Sequence, residues 1–331
     1  RRQRQMCIRD RNSFNLHFRG VPVYRSTGYY LNFSDPHNLL SYRHTRAHNT
    51  LLVDGIGQPF STKGYGKIVR AFNGKNISYA LGDASNAYSG ISEYPMWKKN
   101  FANSKVEQSA ANGFGETPLK LYRRHIFMLH PDIVLIYDEL EAEKAVHWDW
   151  LLHSPVQFRI DEQTRLLTTR NEEKKFSSID LIFSNSDYTL SQTDRFVAPP
   201  NPKLVKHNRK IPNQWHLTAQ FTPTVANRIL TIIQILPDGR SKKALSQDGN
   251  NFRCGKWRIN AEMDPGKPAA IYVHNPDNGA SFSYGKTEIE IEGKKYSYAP
   301  GTAVLFDEID GERVLYEMPG FEPAFTGAEP H

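Results

Sequence analysis

Two cysteines, Cys7 and Cys254, stand in 331 residues. That excludes a disulfide framework and a four-ligand zinc cluster, either of which needs at least four, and leaves the redox compartment open. Long apolar runs are also missing. The longest, at 229–236, is interrupted by Thr231 and Gln234 and falls well short of the roughly 20 residues a membrane-spanning helix needs. No transmembrane helix and no membrane partner are therefore expected. The glycine motifs that cradle phosphates, G-x-x-x-x-G-K-[ST] and G-x-G-x-x-G, do not occur, so nucleotide binding has no support. Disorder is excluded by what is abundant: 39% hydrophobic residues, with 18 Phe, 16 Tyr and 5 Trp, enough apolar surface to order a chain of this length.

The net charge of +7 would ordinarily invite a polyanion, but its location argues otherwise. Residues 1–11, RRQRQMCIRDR, set five arginines against Asp10 and so carry +4, leaving +3 for the rest. No nucleic-acid partner is expected. The leader has no apolar stretch or small-residue cleavage site and is not a secretory signal. Residues 1–11 read as a foreign or disordered leader, with the fold entering near Asn12. The other reading is a natural basic arm for phosphate or sulfate.

Period-two alternation dominates the remainder. Phe14, Leu16 and Phe18 alternate with Asn15 and His17, and comparable runs at 50–53, 68–72, 77–81, 119–129, 133–138, 148–153, 156–160, 165–169, 179–184, 215–221 and 227–236 predict strands. The segment 139–146 favours helix by propensity but lies between strong β runs, and is expected to be a loop. The long polar and aromatic span 84–118 is expected to be irregular and either functional or mobile. The pattern pauses around Pro237-Asp238-Gly239 and resumes in shorter runs from 257 to 316. The expected fold class is all-β, a large antiparallel β-sandwich over 12–240 followed by a smaller β domain over 241–318, with a frayed tail at 319–331.

The densest polar cluster is Tyr42, Arg43, His44, Arg46, His48 and Asn49, in SYRHTRAHNTLLVDGIGQ. Read as an extended segment leading into the following strand, it puts Tyr42, His44, Arg46 and His48 on one face. A phenol, a guanidinium and imidazoles together suit an anionic, hydroxyl-rich ligand. A solvated strand edge with incidental histidines stays open beside that reading. Arg123, Arg124 and His125 form a second basic group that could face a polyanion or decorate a core strand. Asp138, Glu139 and Glu141 suggest a carboxylate pair for glycoside hydrolysis, against a solvated turn. Trp148 and Trp150 share a strand face and read as core, flanked by structural His147 and His153.

Several blocks in order then carry a family resemblance: SFNLHFRGVPVYRSTGYY, HNTLLVDGIGQ, LYRRHIFMLHPDIVLIYDEL and HWDWLLHS. Over roughly residues 12–236 the chain resembles the heparinase II/III-like polysaccharide lyases, most firmly at His48-Asn49 and the Val53-Asp54-Gly55 turn. The resemblance implies the β-sandwich of the supersandwich type from an enzyme that also has an N-terminal helical toroid and cleaves uronate-containing acidic polysaccharides by β-elimination. On that reading the polar residues Tyr42, His44, Arg46, Asn49 and Arg124 are expected as polysaccharide contacts, and the resemblance itself matches His48 to a ligand of a divalent zinc or calcium. The catalytic Tyr and one His are expected on the toroid. The family's other metal-ligating His and Asp positions fall at Cys7, Ile8 and Arg9 and at Ser26, which offer no matching ligand, and a structural imidazole at His48 is the competing reading. A periplasmic or secreted location is also implied.

Overall fold

The computed structural model describes residues 11–61, 64–88, 90–205 and 211–320. Residues 1–10 and 321–331, most of the leader and tail singled out in the sequence, lie outside the described residues. The chain enters by a hairpin of β1 (Leu16–Phe18) and β2 (Val21–Tyr24), and β3 (Leu51–Val53) follows a looped crossing. Next come β4 (Lys67–Asn73), β5 (Ile77–Asp83), the helix α1 (Pro95–Asn103), β6 (Leu119–Leu129), β7 (Ile133–Val146) and β8 (Trp148–Ser154). The large sheets are completed by β9 (Arg159–Ile160), β10 (Leu167–Asn171), β11 (Phe176–Ser184), β12 (Tyr188–Thr193), β13 (Trp215–Phe221) and β14 (Thr224–Pro237). One sheet is eight-stranded in the order β4-β5-β6-β7-β14-β11-β10-β9, and a second is four-stranded in the order β12-β13-β8-β3.

A further sheet begins after residue 240. It runs β15 (Leu245–Asp248), β16 (Asn251–Cys254), β17 (Trp257–Ala261), β18 (Ile271–His274) and β19 (Ser281–Tyr284). The β20–β21 hairpin (Glu288–Ile291, Lys294–Ser297) intervenes, and β22 (Ala303–Ile309) and β23 (Glu312–Met318) close the sheet beside β19.

The eight-stranded sheet is the middle of three layers. On one side Val134, Ile136, Ile229 and Ile233 pack with Trp148, Trp150, Leu217 and Phe221 of the four-stranded sheet. On the other, Ile133, Leu135, Tyr137, Leu230 and Ile232 pack with Phe252, Trp257, Ile259 and Phe282 of the third sheet. A strand covered on both faces has no polar side, which is why β7 and β14 carry nearly continuous apolar runs instead of strict alternation. Full burial of each such side chain contributes about 1.5–3 kcal/mol. The all-β antiparallel sandwich expected from the sequence is the observed fold.

Two local expectations are corrected. The segment 139–146 is the second half of β7, not a loop: it pairs with β6 from Leu119 to Arg123 and with β14 from Thr224 to Arg228. Leu140, Ala142 and Val146 point into the core while Glu141, Glu143 and Lys144 stay exposed, so sheet pairing overrides helix propensity. The irregular span contains α1, which starts with Pro95 in its first turn, a favoured place for a proline. Trp97 and Phe101 of this helix pack with Leu39, Leu40, Phe60 and Phe114 in a small separate core, which anchors the loops beside the polar cluster.

Candidate active-site pocket

The polar cluster does not lie on a strand. Residues Asn38–Tyr42 form a wide helical turn, closed by Arg43 N donating to Asn38 O at 2.9 Å, and Thr45–Ala47 form a 3-10 turn. The strand starts only at Leu51. Helical turns rotate successive side chains by about 100° rather than 180°, so Tyr42, His44, Arg46 and His48 do not share one face. Tyr42 tilts against Tyr30 at 6.0 Å between ring centres.

His44 is fully buried and caps the 3-10 turn. Its Nδ1 accepts from Arg46 N at 3.0 Å and from Arg46 Nε at 3.1 Å, so its Nε2 carries the hydrogen and donates to Gly113 O at 3.0 Å. Arg46 Nη2 donates to Asn112 O at 2.7 Å. This close approach requires Gly113, whose φ is +84° and where a Cβ would lie 2.3 Å from Arg46 Nη2 and 2.6 Å from His44 Nε2. Burial lowers Arg46 to about 10, still well above neutrality. It has no carboxylate partner among the described residues.

His48 and Asn49 bind the turn to the sandwich. His48 is 4% exposed with Nδ1 2.8 Å from Ser26 Oγ. Asn49 is fully enclosed; its Nδ2 donates to Phe14 O at 2.8 Å and its Oδ1 accepts from His153 N at 2.7 Å. Among the described residues no three His, Cys, Asp or Glu side chains gather as metal ligands. Among the described residues the partner shown for His48 is a serine hydroxyl, short of the three or more ligands that a zinc or calcium site needs. Cys7 and Asp10 lie outside the described residues.

Arg124 is likewise interior, 1% exposed and held bidentately by Asp138 at 2.7 and 2.8 Å, with Nη1 donating to the carbonyls of Asn12 and Asn49. Burial lowers its pKa and Asp138 raises it, and the net direction is upward. The expectation that Asn49 and Arg124 face a polysaccharide is therefore corrected, because their polar atoms are spent inside the protein.

Asp138 and Glu139 are adjacent on a strand and so point to opposite faces. Asp138 binds Arg124 and Trp150 Nε1, while Glu139 lies 2.6 Å from His125 Nε2. They form neither a solvated turn nor a facing carboxylate pair. Trp148 and Trp150 are core, as expected. His147 Nδ1 lies 3.0 Å from Phe221 O.

The cavity beside the cluster is built by residues from separate parts of the chain. On the outer face of the four-stranded sheet, Leu52, Leu151, His153, His216 and Thr218 join Arg46 and Ser41 from the turns and Thr193, Arg195, Phe196 and Val197 from the end of β12, enclosing about 220 Å³. His153 and His216 are register partners on β8 and β13, with rings 5.1 Å apart. His153 has acceptors at both ring nitrogens, Arg46 O at 2.8 Å from Nε2 and Asn49 Oδ1 at 3.1 Å from Nδ1. Burial, with His216 and His48 nearby, nevertheless pushes its pKa well down. Burial brings His216 to about 4, and its buried Nε2 has no hydrogen-bond partner in the described protein.

At neutral pH the described lining of the cavity thus offers two arginines and two neutral imidazoles, with no carboxylate among the described lining residues. It can hold an anion and its hydroxyls. Its imidazoles are poorly matched to proton abstraction at pH 7, where an effective base has a pKa near the working pH. Sequence reasoning missed His216 and Arg195, and assigned His153 only a structural part. Their convergence depends on the pairing of β8 with β13, which no local spacing signals.

Comparison with known proteins agrees with this architecture. The chain matches the heparinase II/III-like C-terminal family over residues 7–301. Among solved structures, a heparinase III gene product with methylated lysines superposes with a TM-score of 0.54 at 12% identity, covering 87% of this chain and 35% of that one. A crystal structure of heparinase III gives 0.52 at 13% identity, with the same coverage of 87% and 35%. The chain thus spans about a third of the length of these structures. No curated protein matches it. On the match over most of its length, the chain belongs to the heparinase II/III-like family, as that family's C-terminal β-sandwich.

Proposed function

We propose that the chain is the β-sandwich part of a polysaccharide lyase that cleaves uronate-containing acidic polysaccharides by β-elimination, in the periplasm or outside the cell, together with a helical toroid domain. The observation that carries this reading is the cavity of Arg46, Arg195, His153 and His216, basic and free of carboxylates, in a member of this family. Elimination takes the proton at C5 of a uronate, which requires its carboxylate to be neutralised, a base for the proton and an acid for the departing O4. Arg46 and Arg195 supply positive charge for the first task. Among the described residues lining the cavity no group is poised near neutral pH for the other two, so the proton transfers are assigned to the toroid, and the chain by itself is expected to be inactive.

The test follows unsaturated uronate by its ultraviolet absorbance on heparan sulfate, chondroitin sulfate, hyaluronan and alginate. The chain alone should give none. The longer protein with its toroid should give product, and Arg46→Ala and Arg195→Ala should each slow it by about 5- to 150-fold, the loss of one charge-assisted contact. Product from the chain alone overturns the division of labour. A longer protein that binds the polysaccharide without cleaving it favours a non-catalytic carbohydrate-binding module instead.

A further inference from the structure

A second cavity, of about 450 Å³, lies on the outer face of the seven-stranded sheet, in the layer opposite the first. Its size falls in the roughly 300–1,000 Å³ range of small-ligand sites. Strand alternation sends Phe252, Cys254, Trp257, Ile259 and Val273 into the core, which leaves Asn251, Arg253, Arg258, Asn260, Tyr272 and His274 on the outside.

The register aligns these residues in two rows. Arg253 pairs with Arg258, and Arg258 with His274; Asn251 pairs with Asn260, and Asn260 with Tyr272. Like charges directly opposed across strands are destabilising, and neither arginine has an ion pair among the described residues. Arg253 Nε donates to Gly255 O at 3.1 Å, leaving its terminal nitrogens for another acceptor. In the second row Lys286 Nζ donates to Asn260 Oδ1 at 2.6 Å and Asn260 Nδ2 to Asn251 Oδ1 at 2.8 Å, so a lysine-anchored amide ladder is fixed in orientation. The partly buried Tyr272 ring ends the row, stacked on His274 with centres 6.2 Å apart and planes within 16°, and packed against the Ile289–Ile291 cluster of the β20–β21 hairpin. The one carboxylate lining the cavity is Asp248, at the sheet edge opposite Asn251.

From this arrangement we infer that the outer face of the seven-stranded sheet is a second binding site, for an acidic oligosaccharide. The paired arginines take a sulfate or carboxylate, the amides take hydroxyls, and the part of the Tyr272 ring that lines the cavity packs against the sugar. An ordered amide ladder and a tyrosine beside the cations favour a saccharide over a bare polyanion, whose recognition needs charge alone. Such a site would hold the polysaccharide at high local concentration while another segment occupies the first cavity. The ligand class rests on the functional reading above; the paired arginines stand on the register.

The experiment is calorimetric titration of the chain with a heparan sulfate hexasaccharide, an alginate hexasaccharide, a neutral maltohexaose and a short DNA duplex. It is run on the parent, on Arg253→Gln/Arg258→Gln, and on Arg46→Ala/Arg195→Ala. The Gln pair alters exposed side chains only and removes a like-charge contact, so it should not lower the melting temperature. At least one acidic saccharide should bind the parent, lose about 5- to 150-fold in affinity in the Gln pair, and keep a binding component in the Ala pair. Maltohexaose should not bind. Acidic saccharide bound equally by parent and Gln pair overturns the second site while leaving the function standing. Binding of neither acidic saccharide overturns both. DNA bound as tightly through the same arginines shows a bare polyanion patch and overturns the saccharide assignment.

Discussion

Replacing Arg124 with Met tests whether this arginine belongs to the scaffold or to a ligand site. The guanidinium is 1% exposed, both Asp138 oxygens lie within 2.8 Å of it, and two backbone carbonyls accept from Nη1. Met fills much of the volume but leaves a buried carboxylate whose remaining partner is Trp150 Nε1, at 3.0 Å. Breaking one side of a buried, hydrogen-bonded ion pair costs about 3–5 kcal/mol, mainly because the surviving charge is stranded. By contrast, the pair Lys75–Glu308, 62% and 34% exposed, is of the surface kind that contributes about 0–1 kcal/mol. Over a chain of this size the Arg124→Met penalty lowers the melting midpoint on the order of 10 °C. Adding Asp138→Asn removes the stranded charge and keeps an acceptor for Trp150, so the double variant should cost less than the sum of the two singles. Arg124→Lys should recover little, since an ammonium cannot bridge both carboxylate oxygens and two carbonyls. The assay is urea unfolding with calorimetry, alongside saccharide binding. Unchanged melting with lost binding would refute the scaffold assignment.

A pH series tests Asp180. Burial raises its pKa to about 8 from the ordinary 3.8, with Tyr24 and Ser178 hydrogen bonds opposing. Because the folded state holds the proton more tightly, this contribution to stability is complete below about pH 3.8 and lost as the pH rises towards 8. The parent should therefore lose several kcal/mol relative to Asp180→Asn between pH 4 and 9; parallel melting curves for the two proteins would disprove the buried neutral acid. Gly113→Ala should lower the melting temperature and weaken saccharide binding at the first cavity, since its Cβ would collide with Arg46 and His44 at a φ of +84°. An alanine variant with intact melting and binding would show that this approach is not needed.

Side-chain periodicity was enough to establish the β class and the position of most strands, because burial on one face imposes alternation locally. The sequence alone could not say that β7 continues through Glu139–Val146, since Glu, Ala and Lys there favour helix and only pairing with β6 and β14 decides otherwise. Nor could it separate Arg124, neutralised by a carboxylate 14 residues away, from Arg46, which has none among the described residues: charge type is local, while desolvation and partnering are set by whatever the fold brings near. The meeting of His153 with His216, and of Arg253 with Arg258, came from strand register. A one-residue slip would send each of these side chains to the opposite face, so tertiary structure decided which polar residues line a cavity and which became scaffold.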